Sequence, residues 1–122
     1  MTDREYKVLI HIRQYCAEID ATVKRYGNTL NDFLKDLDYK KSVTLTILQI
    51  GELSSQLSDE FRADHPDIPW REIRGIRNII AHHYGTLDDQ IVFETSTVDV
   101  PNLERFVDRL IAEHEARNKS NG

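Results

Sequence analysis

Cysteine is almost missing from this chain: Cys16 is the only one in 122 residues. A single thiol excludes an internal disulfide and a cysteine metal cluster. Long apolar runs are missing too. No stretch approaches the roughly 18 residues of a membrane-spanning helix. The N-terminal MTDREYKVLIHIRQ has no basic start followed by an apolar run, so no signal peptide is expected. Together these absences point to a reducing, cytoplasmic setting with no membrane anchor. There is no phosphate-cradling glycine loop and no Cys/His metal set, so neither a cofactor nor a metal is expected. Positive charge is in the minority, with 16 Lys and Arg against 21 Asp and Glu and a net charge of −5. That argues against a protein basic all over, but leaves room for a local basic site facing an acidic partner.

What remains is the composition of an ordinary soluble domain, 39% hydrophobic and 30% charged. The length suits one domain, taken as residues 1–117 with a polar, fraying tail at 118–122. Apolar residues recur at helical spacing. Val8, Ile12, Cys16, Ile19 and Val23 mark a first long helix ending at Gly27. NTLNDFLKDL reads as a short helix capped by Asn28 or Thr29. A third helix follows Asp38, carries Val43, Ile47, Ile50, Leu53 and Leu57 inward, and runs towards Phe61 until HPDIP breaks it. A fourth opens near Trp70 after Pro69 and stops at Gly85. LDDQIVFETSTV is rich in β-branched residues, but Asp88 can cap a helix there and a lone strand would have no partner. Pro101 opens the last helix, with Leu103, Phe106, Val107, Leu110 and Ile111 inward. The expected fold is an all-α bundle of five to six helices.

Chemistry concentrates in RNIIAHHYG, residues 77–85. At about 100° per residue, Ile73, Ile76, Ile79 and Ile80 gather in one sector with His83 in its middle. Asn78 and His82 fall on the other side beside Arg74 and Arg77, and Tyr84 sits at the border. His83 therefore reads as a hydrogen-bonded core or interface residue. His82 fits two readings. One is a solvated helix face near a C-terminus. The other is a proton-transfer group whose neutral form is favoured by the adjacent arginines, whose planar forks suit a phosphate. Arg71, Arg74 and Arg77 against Glu72 alone make this segment locally basic, and Lys40 with Lys41 adds a smaller basic cluster. Asp32, Asp36 and Asp38 read as capping and solvation. Glu52, in LQIGELSSQL, reads first as an exposed helix residue and second as a support for the arginine–histidine site.

LQIGELSSQLSDEF, HPDIPWREIRGIRNIIAHHYGTLD and VPNLERFVDRL together resemble the HepT-like family of HEPN domains, over about Asn31 to Leu110. The family signature is an arginine, a polar residue, three further residues, a histidine, any residue and a tyrosine. Arg77, Asn78, His82 and Tyr84 match it, and His83 falls on the variable position. The resemblance implies an all-helical homodimer whose Arg77 and His82 line a cleft at the dimer interface; Asn78 and Arg74 beside them, and Glu52, are the candidate supporting residues. It further implies a metal-independent endoribonuclease acting on RNA, and a toxin encoded beside an MntA-like minimal nucleotidyltransferase antitoxin that transfers AMP to Tyr84. Two other readings remain open. The chain could be a non-catalytic helical dimer that binds nucleotide or RNA, or a docking module for the nucleotidyltransferase. The intact Arg77–His82–Tyr84 set has no use in the last of these.

Overall fold

A computed structural model describes residues 1–83 and 88–121, and the side chains of residues 1–80 and 88–120. Among the described residues the chain is all helical, with no strand. Helix α1 spans Asp3–Tyr26. Its start is fixed by a capping box: Glu5 N–H donates to Thr2 Oγ1 and Thr2 N–H donates to Glu5 Oε1, each at 3.1 Å. It stops at Gly27, whose φ of 117° is open to glycine and strained for other residues. Thr29, one of the two caps expected, caps α2 (Leu30–Leu34) by accepting from Asp32 N–H.

The third helix departs from its expected bounds. Helix α3 runs from Leu37 to Ser54 with Asp36 as its cap, and the chain restarts as α4, Asp59–Asp64. Serines cause the break. Ser54 and Ser55 hydroxyls donate back to the Ile50 and Gly51 carbonyls, a bond that competes with helix continuation. Ser58 then caps α4 through Phe61 N–H at 3.0 Å. Arg62 Nη1 donates to two carbonyls at the break, Ser54 at 3.2 Å and Leu57 at 2.7 Å.

Helix α5 spans Trp70–His83, so its expected stop at Gly85 lies outside the described residues. The segment opened by Asp88 is helical as expected: α6, Asp89–Glu94. It passes through a π-helical turn, Thr95–Asp99, directly into α7, Val100–Asn121. Pro101 lies in the first turn of α7 rather than at a fresh start. It has no N–H and its ring crowds the carbonyl four residues back, so the chain widens there, with Val100 N–H donating to the Thr95 carbonyl. With that arm taken as one, there are six helices among the described residues. The polar residues from 118 to 121, expected to fray, continue the helix. Ser120 Oγ donates to the Ala116 carbonyl, and Arg117 reaches Glu113.

Helix α1 packs against both α3 and α7, and α5 lies against α3. The apolar faces read from periodicity form the core between them, including Leu9, Ile12, Cys16, Ile19, Val43, Ile47, Val107 and Ile111. Burial pushes the Cys16 thiol up to about 12, which leaves it a small apolar core group. No described helix is long and apolar enough to cross a membrane.

Candidate functional site

The polar face of α5 is anchored from below by Trp70. Its ring is buried among Phe61 and Phe106, and its Nε1 donates to the His65 carbonyl at 2.9 Å. From this start Trp70, Ile73 and Ile80 face the core, while Ile79 is 44% exposed. The apolar sector, read from the sequence as core or interface, is thus partly core and partly surface. The reason lies in packing: α5 sits chiefly against α3, and the inward direction is set by that one contact rather than by the centre of its apolar stripe.

The rotation brings Arg77 towards α3, next to Gly51. A Cβ on Gly51 would stand 2.5 Å from Arg77 Cβ, 3.1 Å from its Cγ and 3.4 Å from the Ile73 carbonyl oxygen. The two helices meet at a spot where only glycine fits. The next residue, Glu52, is thereby brought alongside the arginine, and Arg77 Nε donates to Glu52 Oε1 at 2.7 Å. Arg77 Nη1 donates to Asn78 Oδ1 at 2.8 Å. A carboxylate oxygen and an amide oxygen from two helices therefore hold one planar group, and among the described residues no partner meets Nη2. The pair is half exposed, so its net contribution to stability is at most about 1 kcal/mol. Its larger consequence is orientation, since a planar guanidinium held at two of its nitrogens presents the third in a fixed direction.

Of the residues singled out by sequence, the structure joins Arg77, Asn78 and Glu52 directly. Glu52 is more than an exposed helix residue, because its carboxylate is committed to the arginine. Arg74 is exposed one turn earlier on the same helix. His82 and His83 close α5, but their side chains lie outside the described residues, as does Tyr84. Among the described residues no three His, Cys, Asp or Glu side chains are arranged to hold a metal ion. Gly51 was not singled out. Its signal was a glycine in mid-helix, within IGEL, where no turn calls for one.

A family model described as "Ribonuclease HepT-like" matches residues 12–110, a span that contains every residue of this site. A Caldanaerobacter subterraneus subsp. tengcongensis protein named "Putative RNase TTE0752" is 34% identical over 110 residues, covering 90% of this chain and 95% of the relative. A Thermococcus cleftensis protein named "Probable ribonuclease HepT" is 33% identical over 79 residues, covering 65% of this chain and 72% of the relative. A Methanocaldococcus jannaschii protein named "Putative RNase MJ1216" is 24% identical and covers 98% of both chains. No solved structure matches. With its helical bundle, its complete arginine-to-tyrosine signature and this family match, the chain belongs to the HepT-like ribonuclease family.

Proposed function

We propose that this chain is a metal-independent endoribonuclease, the toxin of a toxin–antitoxin pair acting in the cytoplasm. The observation that carries the reading is the Arg77 guanidinium, gripped at Nε by Glu52 and at Nη1 by Asn78 on the helix that also bears His82. Cleavage of RNA without a metal uses the neighbouring 2′-hydroxyl. Its oxygen bonds to phosphorus, its proton passes to a base, and the P–O5′ bond breaks as the 5′ oxygen takes up a proton. The products are a 2′,3′-cyclic phosphate and a 5′-hydroxyl. An imidazole, the side chain of His82, is the kind of group that can carry one of the transfers. Arg77 offsets the charge that develops on the phosphorane oxygens. The motif supplies one histidine per chain, so two proton transfers call for a two-fold dimer with both Arg77–His82 pairs in one cleft.

Silencing fits the same site. The phenol oxygen of Tyr84 attacks the α-phosphorus of ATP on the nucleotidyltransferase partner, pyrophosphate leaves, and the tyrosine carries AMP. The added phosphodiester charge and base then compete with RNA for the arginines.

The test is incubation of the purified chain with single-stranded RNA in excess EDTA. Cleavage giving cyclic-phosphate ends, lost in His82→Ala, is the expected result. A folded wild-type chain that binds RNA without cutting it would instead establish the non-catalytic reading. Co-expression with the neighbouring nucleotidyltransferase, followed by intact-mass and peptide analysis, tests the AMP transfer. An adduct absent, or on another tyrosine, removes that part.

A further inference from the structure

Gly75 raises a separate question. It lies in the interior of α5, where glycine weakens a helix relative to alanine, yet a Cβ built on it meets nothing within 4 Å. Among the described residues nothing demands a glycine there, in contrast to Gly51. Gly75 lies in an open groove of about 390 Å³ between α5 and the arm formed by α6 and the π turn. The walls are aliphatic: Ile76, Ile79 and Ile91, the last two 44% and 50% exposed. The rim is acidic: Glu72, Glu94 and Asp99. Among the described residues none of these three carboxylates pairs with a cation. Their repulsion shows in Asp99, whose carboxyl is raised by partial burial and then by Glu94 and Glu72.

We propose that this groove is a docking site for a partner segment that presents aliphatic side chains flanked by lysine or arginine. The bare backbone at Gly75 admits an aliphatic side chain between Ile76, Ile79 and Ile91, and the flanking cations relieve the acidic rim. A two-fold contact of groove on groove is disfavoured, because it would set the acidic rim against itself. At about 100° per residue, Gly75 and Ile79 lie about 160° from Arg77 on α5, and Ile76 about 100° from it. A partner bound here leaves the Glu52–Arg77 face uncovered, and the inference stands whether or not the chain cleaves RNA.

The probe is a fluorescein-labelled synthetic peptide with two leucines one helical turn apart, each flanked by lysines, titrated with the full chain and followed by anisotropy. Saturable one-to-one binding is expected, and none for the same peptide with glutamate in place of lysine. Ile79→Ser and Gly75→Leu should each weaken binding by about tenfold or more. Leu45→Ser, at an exposed leucine on α3, should leave binding unchanged. Gly75→Ala should raise the melting temperature by a few degrees while weakening binding. Failure of the lysine peptide to bind, or equal binding by Ile79→Ser, overturns the proposal. So does self-association in sedimentation velocity that Ile79→Ser abolishes, since the occupant would then be a second copy of this chain.

Discussion

Gly51 and Arg77 pack so closely that a methyl group on the glycine would lie 2.5 Å from Arg77 Cβ. Neither atom is at the end of a flexible side chain, so the clash can be relieved only by moving α3 and α5 apart. Gly51→Ala should therefore cost about 1–3 kcal/mol, because overpacking outweighs the gain in helix propensity. RNA cleavage should fall further than stability, since the displacement falls on the arginine. Thermal melts and single-turnover cleavage would measure both, and an unchanged or higher melting temperature would contradict the packing argument.

Glu52→Gln tests orientation apart from packing. The amide keeps the shape but replaces a charged acceptor of the Arg77 Nε–H with a neutral one. Stability should change by less than about 1 kcal/mol, because the pair is half exposed. The turnover rate should fall by about tenfold to a hundredfold as the guanidinium loses its fixed direction. KM should not rise, since removing the carboxylate leaves more net positive charge for RNA. A higher KM with unchanged turnover would mean that Glu52 shapes substrate binding instead.

The adjacent histidines should separate cleanly. His82→Ala should melt like the wild type and cleave nothing, whereas His83→Ala should melt lower and keep activity. Mixing Arg77→Ala with His82→Ala should restore partial cleavage if two chains share a cleft. A monomer by light scattering, or loss of activity in His83→Ala with a normal melt, would refute the assignment.

Asp99 should make stability depend on pH. Its carboxyl is raised by partial burial, with Glu94 and Glu72 adding to the shift. The folded chain therefore holds this proton more tightly than the unfolded chain does. The resulting stability is present at acid pH and lost as pH rises through the raised value. Asp99→Asn should raise the melting temperature at neutral pH by about a degree or two, allowing for solvent screening. It should do nothing below the ordinary aspartate range. Melts across that range would show the two curves converging at low pH, and parallel curves would contradict the cause given.

Periodicity made α1 and α7 legible because both are long and bury one continuous stripe, from Val8 to Ile19 and from Leu103 to Ile111. It did not reveal the break after Ser54. That break depends on hydroxyls bonding back to their own helix and on Arg62 returning from eight residues away. Arg77, Asn78 and Glu52 could be named from motif and spacing, but their contact could not. Twenty-five residues separate Glu52 from Arg77, and only the missing Cβ of Gly51 lets their helices come close enough. Ile79 was grouped with its apolar neighbours in one sector, and among the described residues the fold buries only part of that stripe.

The π turn from Thr95 to Asp99 joins the two parts of the final arm of the chain. A π turn holds one residue more than the α-helix that would replace it. Deleting a single residue there would let the arm close into a plain α-helix without breaking it. Residues of a π turn advance by less than the roughly 100° of an α-helix, so the turn absorbs its extra residue and the segments on either side would keep nearly the same mutual phase after the deletion. The π turn thus takes up a one-residue shift in the sequence pattern within one uninterrupted rod, which packs on α1 along its second half and meets α3 along its first.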